Sequence, residues 1–271
     1  MRPILSSLLC VACSTAVHPP KSAPQCGGPV SCGREQLIEA DRDLRNAITA
    51  RGPAAAFSGV LLEDSQLLSE GKGRVAGRER IQETLKGEAP FTWTTARADV
   101  SLGAELGYSF GWMEKGHYAA VWRRQGGEWK LAVFLSRPAQ PQSVAPPPWF
   151  VPFRGEREAA TAAAAHSVSA ADTAFAALAK RSDTQTAFTT YAAQDAVLFA
   201  STMIFGREAI HQLFKGAGPL EWGPIAEGAA QDLGYTVGAY TRGSVRGNYL
   251  TVWRLETDGS WRYVLDGGVK G

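Results

Sequence analysis

The chain has few of the residues that build metal and cofactor sites. Its 271 residues include four histidines, His18, His117, His166 and His211, and four cysteines, Cys10, Cys13, Cys26 and Cys32. The histidines are too widely spread for a metal motif. Cys26 and Cys32, with no second pair beside them, cannot supply zinc with four ligands. No metal and no cofactor is therefore expected. An excess of either charge is also missing, with 28 Lys and Arg against 26 Asp and Glu. The balance holds in each half: residues 34–137 carry 15 basic and 14 acidic groups, and residues 154–271 carry 11 and 12. Nucleic-acid binders show a basic excess or stripe, so no nucleic-acid partner is expected. No apolar run approaches the roughly 20 residues that span a bilayer. No Walker loop occurs, and Gly71-Lys72-Gly73-Arg74-Val75-Ala76 fits a dinucleotide fingerprint only formally, outside any parallel strand–helix–strand unit. With 45% apolar and 20% charged residues, the chain is too apolar to be disordered.

At the N-terminus Arg2 precedes an apolar stretch from Ile4 to Ala12, which is followed by Cys13. A positive residue, a brief apolar run and small residues describe a secretory signal. Val11-Ala12-Cys13 resembles a bacterial lipoprotein box, in which Cys13 would become the acylated first residue. Residues 1–13 are thus expected to be a signal peptide, with an ordinary signal cut near Ala16 as the alternative. Either implies export, as a periplasmic protein or a membrane-anchored lipoprotein whose only membrane contact is the lipid. An acyl chain adds about 0.8 kcal/mol per buried CH₂ and tethers a soluble body without a spanning helix. Residues 14–33 read as a tether, because Pro19, Pro20, Pro24, Gly27, Gly28 and Pro29 break regular structure. Within it, Cys26 and Cys32 could close a small disulfide loop in an oxidising compartment.

Self-comparison reveals a duplication. Asp41-Arg42-Asp43-Leu44, Ala56-Phe57 and Asp64 return as Asp172-Thr173-Ala174-Phe175, Ala187-Phe188 and Asp195. Gly77-Arg78-Glu79 returns as Gly206-Arg207-Glu208, Trp93 as Trp222, and Leu106-Gly107-Tyr108 as Leu233-Gly234-Tyr235. Val121-Trp122-Arg123 returns as Val252-Trp253-Arg254, and Trp129 as Trp261. Two domains follow, 34–137 and 154–271. Between them, residues 138–153 form a spacer whose density of proline favours an extended, semi-rigid chain. Trp149, Phe150 and Phe153 are apolar enough for its end to dock on a domain.

Each copy opens with a helix. Leu37, Asp41, Leu44 and Ile48 fall on one face of the first. The Ala-rich segment from about Glu156 to Arg181 carries Asp172, Phe175, Leu178 and Ala179 similarly, and its composition favours a helix longer than its counterpart. A second short helix follows each Gly-Arg-Glu and stops at Gly87 or Gly216. The rest reads as strands, with hairpin turns at Gly126-Gly127 and Asp258-Gly259. In the last hairpin Leu250 and Val252 point one way and Tyr249, Trp253 and Leu255 the other, so neither face is polar. Such a sheet must be covered twice, by its own helices and by another sheet.

Helix, short helix and a curved antiparallel sheet ending in Val-Trp-Arg, Asp-Gly-x-Trp-Arg and Leu-Asp-Gly resemble the nuclear transport factor 2-like superfamily, which includes ketosteroid isomerase and SnoaL-type polyketide cyclases. Leu220-Glu221-Trp222-Gly223-Pro224, Asp232 to Gly238 and Asn248 to Arg254 are most similar to a bacterial branch of unknown function. The resemblance covers about residues 160–268 well and 34–137 less well. It implies an α+β chain of two cone-shaped, cystatin-like domains, each with helices packed on a curved antiparallel sheet. It also implies sheet-to-sheet pairing, either within the chain as a pseudo-dimer or between chains as a homodimer. The isomerase positions fall on Leu44 and Phe175 for the helix tyrosine, on Ser69 and Ala200 for the base, and near Ala120 and Thr251 for the strand acid. None of the three roles is filled.

Several polar and aromatic residues remain as candidates. Asp172 lies on an apolar helix face, so its carboxylate must be hydrogen-bonded or paired, with Arg207 as one partner, unless it serves a ligand. Asp266 becomes Phe134 in the first copy, which makes the second domain the candidate for activity. Trp222, Tyr235 and Tyr240 could line an aromatic pocket, although such residues are more often core. Asp64 and Asp195 read as caps of a turn before a strand. His117 and His211 could each face a cavity, but a lone histidine is more often an ordinary surface or core residue. The leading expectation is an exported tandem protein that binds a small, partly apolar molecule in the second cone. The alternatives are a SnoaL- or dehydratase-type enzyme using Asp172 and Asp266, and an assembly module with vestigial cavities.

Overall fold

The computed structural model describes residues 27–139, 146–150, 164 and 166–271. The expected signal peptide, Cys13, Cys26, most of the proline-rich spacer and the segment 156–163 lie outside the described residues. Cys32 is disulfide-bonded. Among the described residues no helix is long and apolar enough to cross a membrane.

The first half runs α1 (Pro29–Arg51), α2 (Pro53–Ser58), β1 (Leu61–Ser69), β2 (Gly73–Ala76), α3 (Arg78–Leu85), β3 (Trp93–Val100), β4 (Leu106–Met113), β5 (Gly116–Gln125) and β6 (Glu128–Pro138). The second half repeats that order as α4 (Val168–Arg181), α5 (Thr184–Tyr191), β7 (Ala192–Phe199), β8 (Met203–Phe205), α6 (Arg207–Leu213), β9 (Glu221–Ala230), β10 (Leu233–Arg242), β11 (Val245–Leu255) and β12 (Trp261–Lys270). The six-stranded sheets share one topology, β2-β1-β6-β5-β4-β3 and β8-β7-β12-β11-β10-β9. Both are antiparallel except at one place, where β1 runs parallel to β6 and β7 parallel to β12. Irregularities recur at matched positions, between Val121 and Trp122 and between Val252 and Trp253. Bulges of this kind bend a sheet, so the same curvature is built into both.

Two expectations at the helix starts are corrected. Helix α1 begins at Pro29, inside the segment 14–33 read as tether. Proline is tolerated at the first helical position, where its missing N–H has no partner to lose, and the Ser31 hydroxyl accepts from the Gly28 amide. Helix α4 is shorter than α1, 14 residues against 23. Ser167 caps it by accepting from the Ala170 amide, and this local bond sets its start at Val168. The short helices α2 and α5, absent from the sequence reading, complete each half. Six and eight residues are too few to show a helical period.

Leu37, Asp41, Leu44 and Ile48 all face inward on α1 and are buried. The close approach of helix to sheet needs glycine beneath it. A Cβ on Gly107 would lie 2.7 Å from Leu37, and one on Gly234 would lie 2.5 Å from Val168. Gly77 and Gly206, at φ of 94° and 87°, make the turns into α3 and α6, which explains the repeated Gly-Arg-Glu.

The opposite faces of the two sheets pack together within one chain. Tyr108, Phe110, Ala119, Val121, Val133 and Leu135 share one continuous core with Tyr235, Val237, Leu250, Val252 and Leu265. The inward face of the first sheet forms a separate core with α1 and α2 around Trp122, Tyr118 and Phe134. Inside the seam Asp195 receives Arg97 Nη1 at 2.8 Å and Arg254 Nη2 at 3.1 Å, all three side chains being nearly inaccessible. The Leu102 amide donates to Asp232 across the seam at 2.9 Å. The spacer docks as well: Phe150 is buried, 5.0 Å from the Phe205 ring and beneath the Arg97 guanidinium at 4.2 Å.

Candidate functional site

The helix carboxylate is the common starting point of both cones. In the first, Asp41 Oδ2 accepts from Trp93 Nε1 at 2.9 Å, Thr95 Oγ1 at 2.7 Å and Tyr118 Oη at 3.0 Å, while Oδ1 accepts from Ser109 Oγ at 2.7 Å. In the second, Asp172 Oδ1 accepts from Trp222 Nε1 at 3.0 Å and Oδ2 from Tyr249 Oη at 2.7 Å, with the Thr236 hydroxyl also bonded to it. Trp122 Nε1 and Trp253 Nε1 in turn donate to Ser109 and Thr236. A buried charge is tolerated only when its lone pairs are filled, and these networks fill them. Burial still raises the Asp172 carboxyl, against the lowering effect of its three donors. Asp172 is therefore a bracket holding helix, β9 and β11 together. It is not bonded to Arg207, whose Nε donates to the Ala192 carbonyl.

The cones diverge one strand away. In the first, Ala120 opposes Phe134 in the ladder; in the second, Thr251 opposes Asp266. The Phe134 ring is buried inside the first cone, 5.2 Å from Phe57, 5.6 Å from Trp93 and 6.0 Å from Tyr118. In the second domain the same space stays open as a cavity of about 500 Å³. Phe175, Phe188, Phe214 and Trp222 form an apolar wall. Tyr240, Tyr249 and Asp266 bring polar atoms to it, and Arg137, Arg242 and Lys270 bring positive charge.

Asp266 lines this cavity and receives the Thr251 hydroxyl at 2.6 Å. Desolvation pushes its carboxyl up to about 7; the Thr251 hydrogen bond opposes this, the Asp172 charge adds to it and Arg137 lowers it. Since the folded state holds this proton more tightly than an unfolded aspartate, stability is full below about pH 4 and falls as pH rises through about 7. A shift of this size corresponds to a few kcal/mol at about 1.4 kcal/mol per unit. Asp266→Asn keeps an acceptor for Thr251 and removes the titration. The variant should gain on the wild type by a few kcal/mol between pH 4 and pH 8 in urea unfolding, and parallel stability profiles would show that Asp266 ionises freely.

Of the residues singled out from sequence, Trp222, Tyr240 and Asp266 line the cavity, and Asp172 lies behind Trp222 and Tyr249. Tyr235 does not belong to the cone. Side chains alternate along β10, so Thr236 and Tyr240 face the helix while Tyr235 faces the other sheet, beside Ala226 and Glu227 in a polar groove between the domains. Asp64 and Asp195 are not turn caps. They sit within β1 and β7, and Asp64 forms a two-pronged pair with Arg123 at 2.9 and 3.0 Å. His211 is held by Gln185 and Thr189. His117 is fully buried in the seam, 5.2 Å from Phe199, with neither ring nitrogen hydrogen-bonded among the described residues. Burial, and then the Arg137 charge, lower it to about 4, so it stays neutral. Residues 107–111 spell Gly-x-Ser-x-Gly, a nucleophile motif when it turns from strand to helix. Here it runs inside β4, and the Ser109 hydroxyl is spent on Asp41.

The sequence reading missed Tyr249, Thr251 and Arg137. The paired change from Ala120 and Phe134 to Thr251 and Asp266 was a usable signal, because hairpin register sets those positions opposite each other. Arg137 gave none, for it reaches the cavity from the other domain and donates to the Phe199 and Gly268 carbonyls at 2.8 and 2.9 Å.

Several solved structures are similar to parts of this chain. A ketosteroid isomerase-like protein from Erwinia carotovora atroseptica SCRI1043 is 15% identical, covers 37% of this chain and 91% of its own, with a TM-score of 0.33. An NTF-2 like protein of unknown function from Shewanella oneidensis MR-1 is 15% identical over 38% of this chain and 96% of its own, with a TM-score of 0.32. An NTF2-like protein of unknown function from Methylobacillus flagellatus KT is 13% identical over 40% and 98%, with a TM-score of 0.32. No family model matches the chain, and no curated protein matches it.

Proposed function

We propose, starting from two nuclear transport factor 2-like cones in one chain, that the protein binds a small, partly apolar molecule in the second cone while the first serves as a solid scaffold. The observation that carries this reading is the exchange of Phe134 for Asp266 at matched positions, which plugs one cone and leaves the other open. Its volume of about 500 Å³ lies in the usual range for small-molecule sites, about 300–1,000 Å³. The aromatic wall would hold the apolar part of a ligand. Asp266, protonated for part of the time at neutral pH, would exchange a hydrogen bond with a carbonyl or hydroxyl.

An enzyme using Asp172 together with Asp266 has less support. Both Asp172 oxygens are taken by Trp222, Tyr249 and Thr236, and Asp172 does not line the cavity. Asp266 alone, with a carboxyl near 7, could still move a proton. Export is part of the proposal and rests only on the N-terminal sequence.

The test is to copy the plug. Asp266→Phe with Thr251→Ala reproduces the pairing of Ala120 and Phe134. The double variant should fold, melt at a higher temperature and lose all binding of small amphiphiles that the wild type takes up, as read by calorimetry and by Trp222 fluorescence. Retained binding by a folded double variant would show that the second cone is not the site.

A further inference from the structure

The cavity is not a property of the second domain alone. Arg137, on the last strand of the first domain, lines it and is anchored by hydrogen bonds from Nη1 to the Phe199 and Gly268 carbonyls. Arg242 at the end of β10 and Lys270 at the end of β12 line it too. Among the described residues none of these three cations is held in an ion pair. Elsewhere the positive side chains that meet a carboxylate are paired, as Arg123 is with Asp64 and Arg254 with Asp195.

The acids near this site are accounted for. Among the described residues Asp266 is the one carboxylate lining the cavity, and it accepts from the Thr251 hydroxyl. Glu70 of the first domain accepts from the Lys270 amide at 3.0 Å, and with Arg137 and Arg242 it flanks the Tyr240 phenol. The lining thus combines an apolar aromatic wall, three unpaired cations and a carboxyl that burial keeps from being a firm negative charge. Unpaired cations around an apolar chamber favour a ligand that is itself divided, with an apolar body and an anionic head.

We infer that the ligand is an amphiphilic anion, a carboxylic acid with an apolar chain or ring, whose headgroup is met by Arg137 of the first domain together with Arg242 and Lys270. This deepens the proposed function and rests on it. It also gives the silent first domain a role, since the seam between the sheets places Arg137 in the second domain's site. The site is therefore complete only in the tandem chain.

A matched set of probes separates this inference from the reading beneath it. Dodecanoate, dodecan-1-ol and dodecylammonium share a chain and differ in the head. They are titrated by calorimetry, below their aggregation concentrations and at pH 6, where Asp266 is mostly protonated, into the full-length chain and into the plugged Asp266→Phe/Thr251→Ala variant. The expected result is one dodecanoate per chain, at least tenfold tighter than dodecan-1-ol, with dodecylammonium weakest and no binding to the plugged variant. Arg137→Gln should erase most of the preference for dodecanoate over dodecan-1-ol while leaving dodecan-1-ol binding unchanged. Because Arg137 also ties the domains together, Arg242→Gln provides a second arm on an exposed side chain, with an expected loss of about threefold for dodecanoate alone. Equal or tighter binding of the alcohol or the ammonium in the second cone would overturn the anionic headgroup but leave the cavity a ligand site. Absence of binding by all three would count against both the inference and the proposed function.

Discussion

Replacing Asp195 with alanine should lower the unfolding free energy by about 3 kcal/mol, the lower end of the cost of breaking a buried ion pair. Asp195 lies where β7 meets the first domain and accepts from Arg97 at 2.8 Å and Arg254 at 3.1 Å. Removing it takes away a carboxylate that two enclosed guanidiniums share. Arg254 keeps Glu256 at 2.7 Å, and Arg97 keeps its stacking on Phe150, which is why the lower end applies. For the two domains unfolding together through their shared core, about 3 kcal/mol corresponds to a melting temperature lower by roughly 6–12 °C. Asp195→Asn should cost less, because it retains an acceptor. Arg97→Met in the Asp195→Ala background should recover part of the loss, since an enclosed charge goes with its partner. A loss below about 1 kcal/mol would mean that the pair behaves as a surface salt bridge and that the seam is held by its apolar side chains alone.

Phe134→Ala should be at least as damaging, at about 3–5 kcal/mol. Phe134 is 1% exposed and packs against Phe57, Phe91, Trp93 and Tyr118. Truncation removes those contacts and leaves a void whose walls are too well packed to collapse onto it. The void would be apolar and dry, so the variant should gain affinity for benzene or xenon that the wild-type first domain lacks. Urea unfolding gives the energy, and chemical shifts on benzene addition give the new cavity. A cost under about 1.5 kcal/mol without uptake of benzene would mean that the first cone is already hollow. The contrast with Asp266→Phe is the point of the pair, for the same ring should be stabilising to add to one cone and destabilising to remove from the other.

Much of the architecture could be read in advance, for reasons that differ between elements. The inward face of α1 was legible because Leu37, Leu44 and Ile48 recur at helical spacing. The closing hairpins were legible because Asp258-Gly259 and Gly126-Gly127 admit positive φ at their tips. The short helices α2 and α5 were not, since each makes fewer than three turns. The start of α4 at Val168 was not placed because helix propensity is a sum of small terms and does not mark a boundary that one capping serine sets. In the site, Asp172 announced itself as a buried carboxylate but not its partners, which come from β9, β10 and β11. Tyr235 was assigned to the wrong face because a strand's two faces look alike when both are apolar.

By itself the sequence determined that the chain is a doubled unit with apolar sheet faces, and that only the second unit carries Asp266. Those conclusions rest on periodicity and on comparison of one half with the other, both of which are local. Which face of each sheet meets a helix, which cone stays open and which residue of the first domain enters the second were decided by tertiary structure. They depend on side chains brought together from positions more than a hundred residues apart, as Arg137 and Gly268 are, and no pattern along the chain encodes that distance.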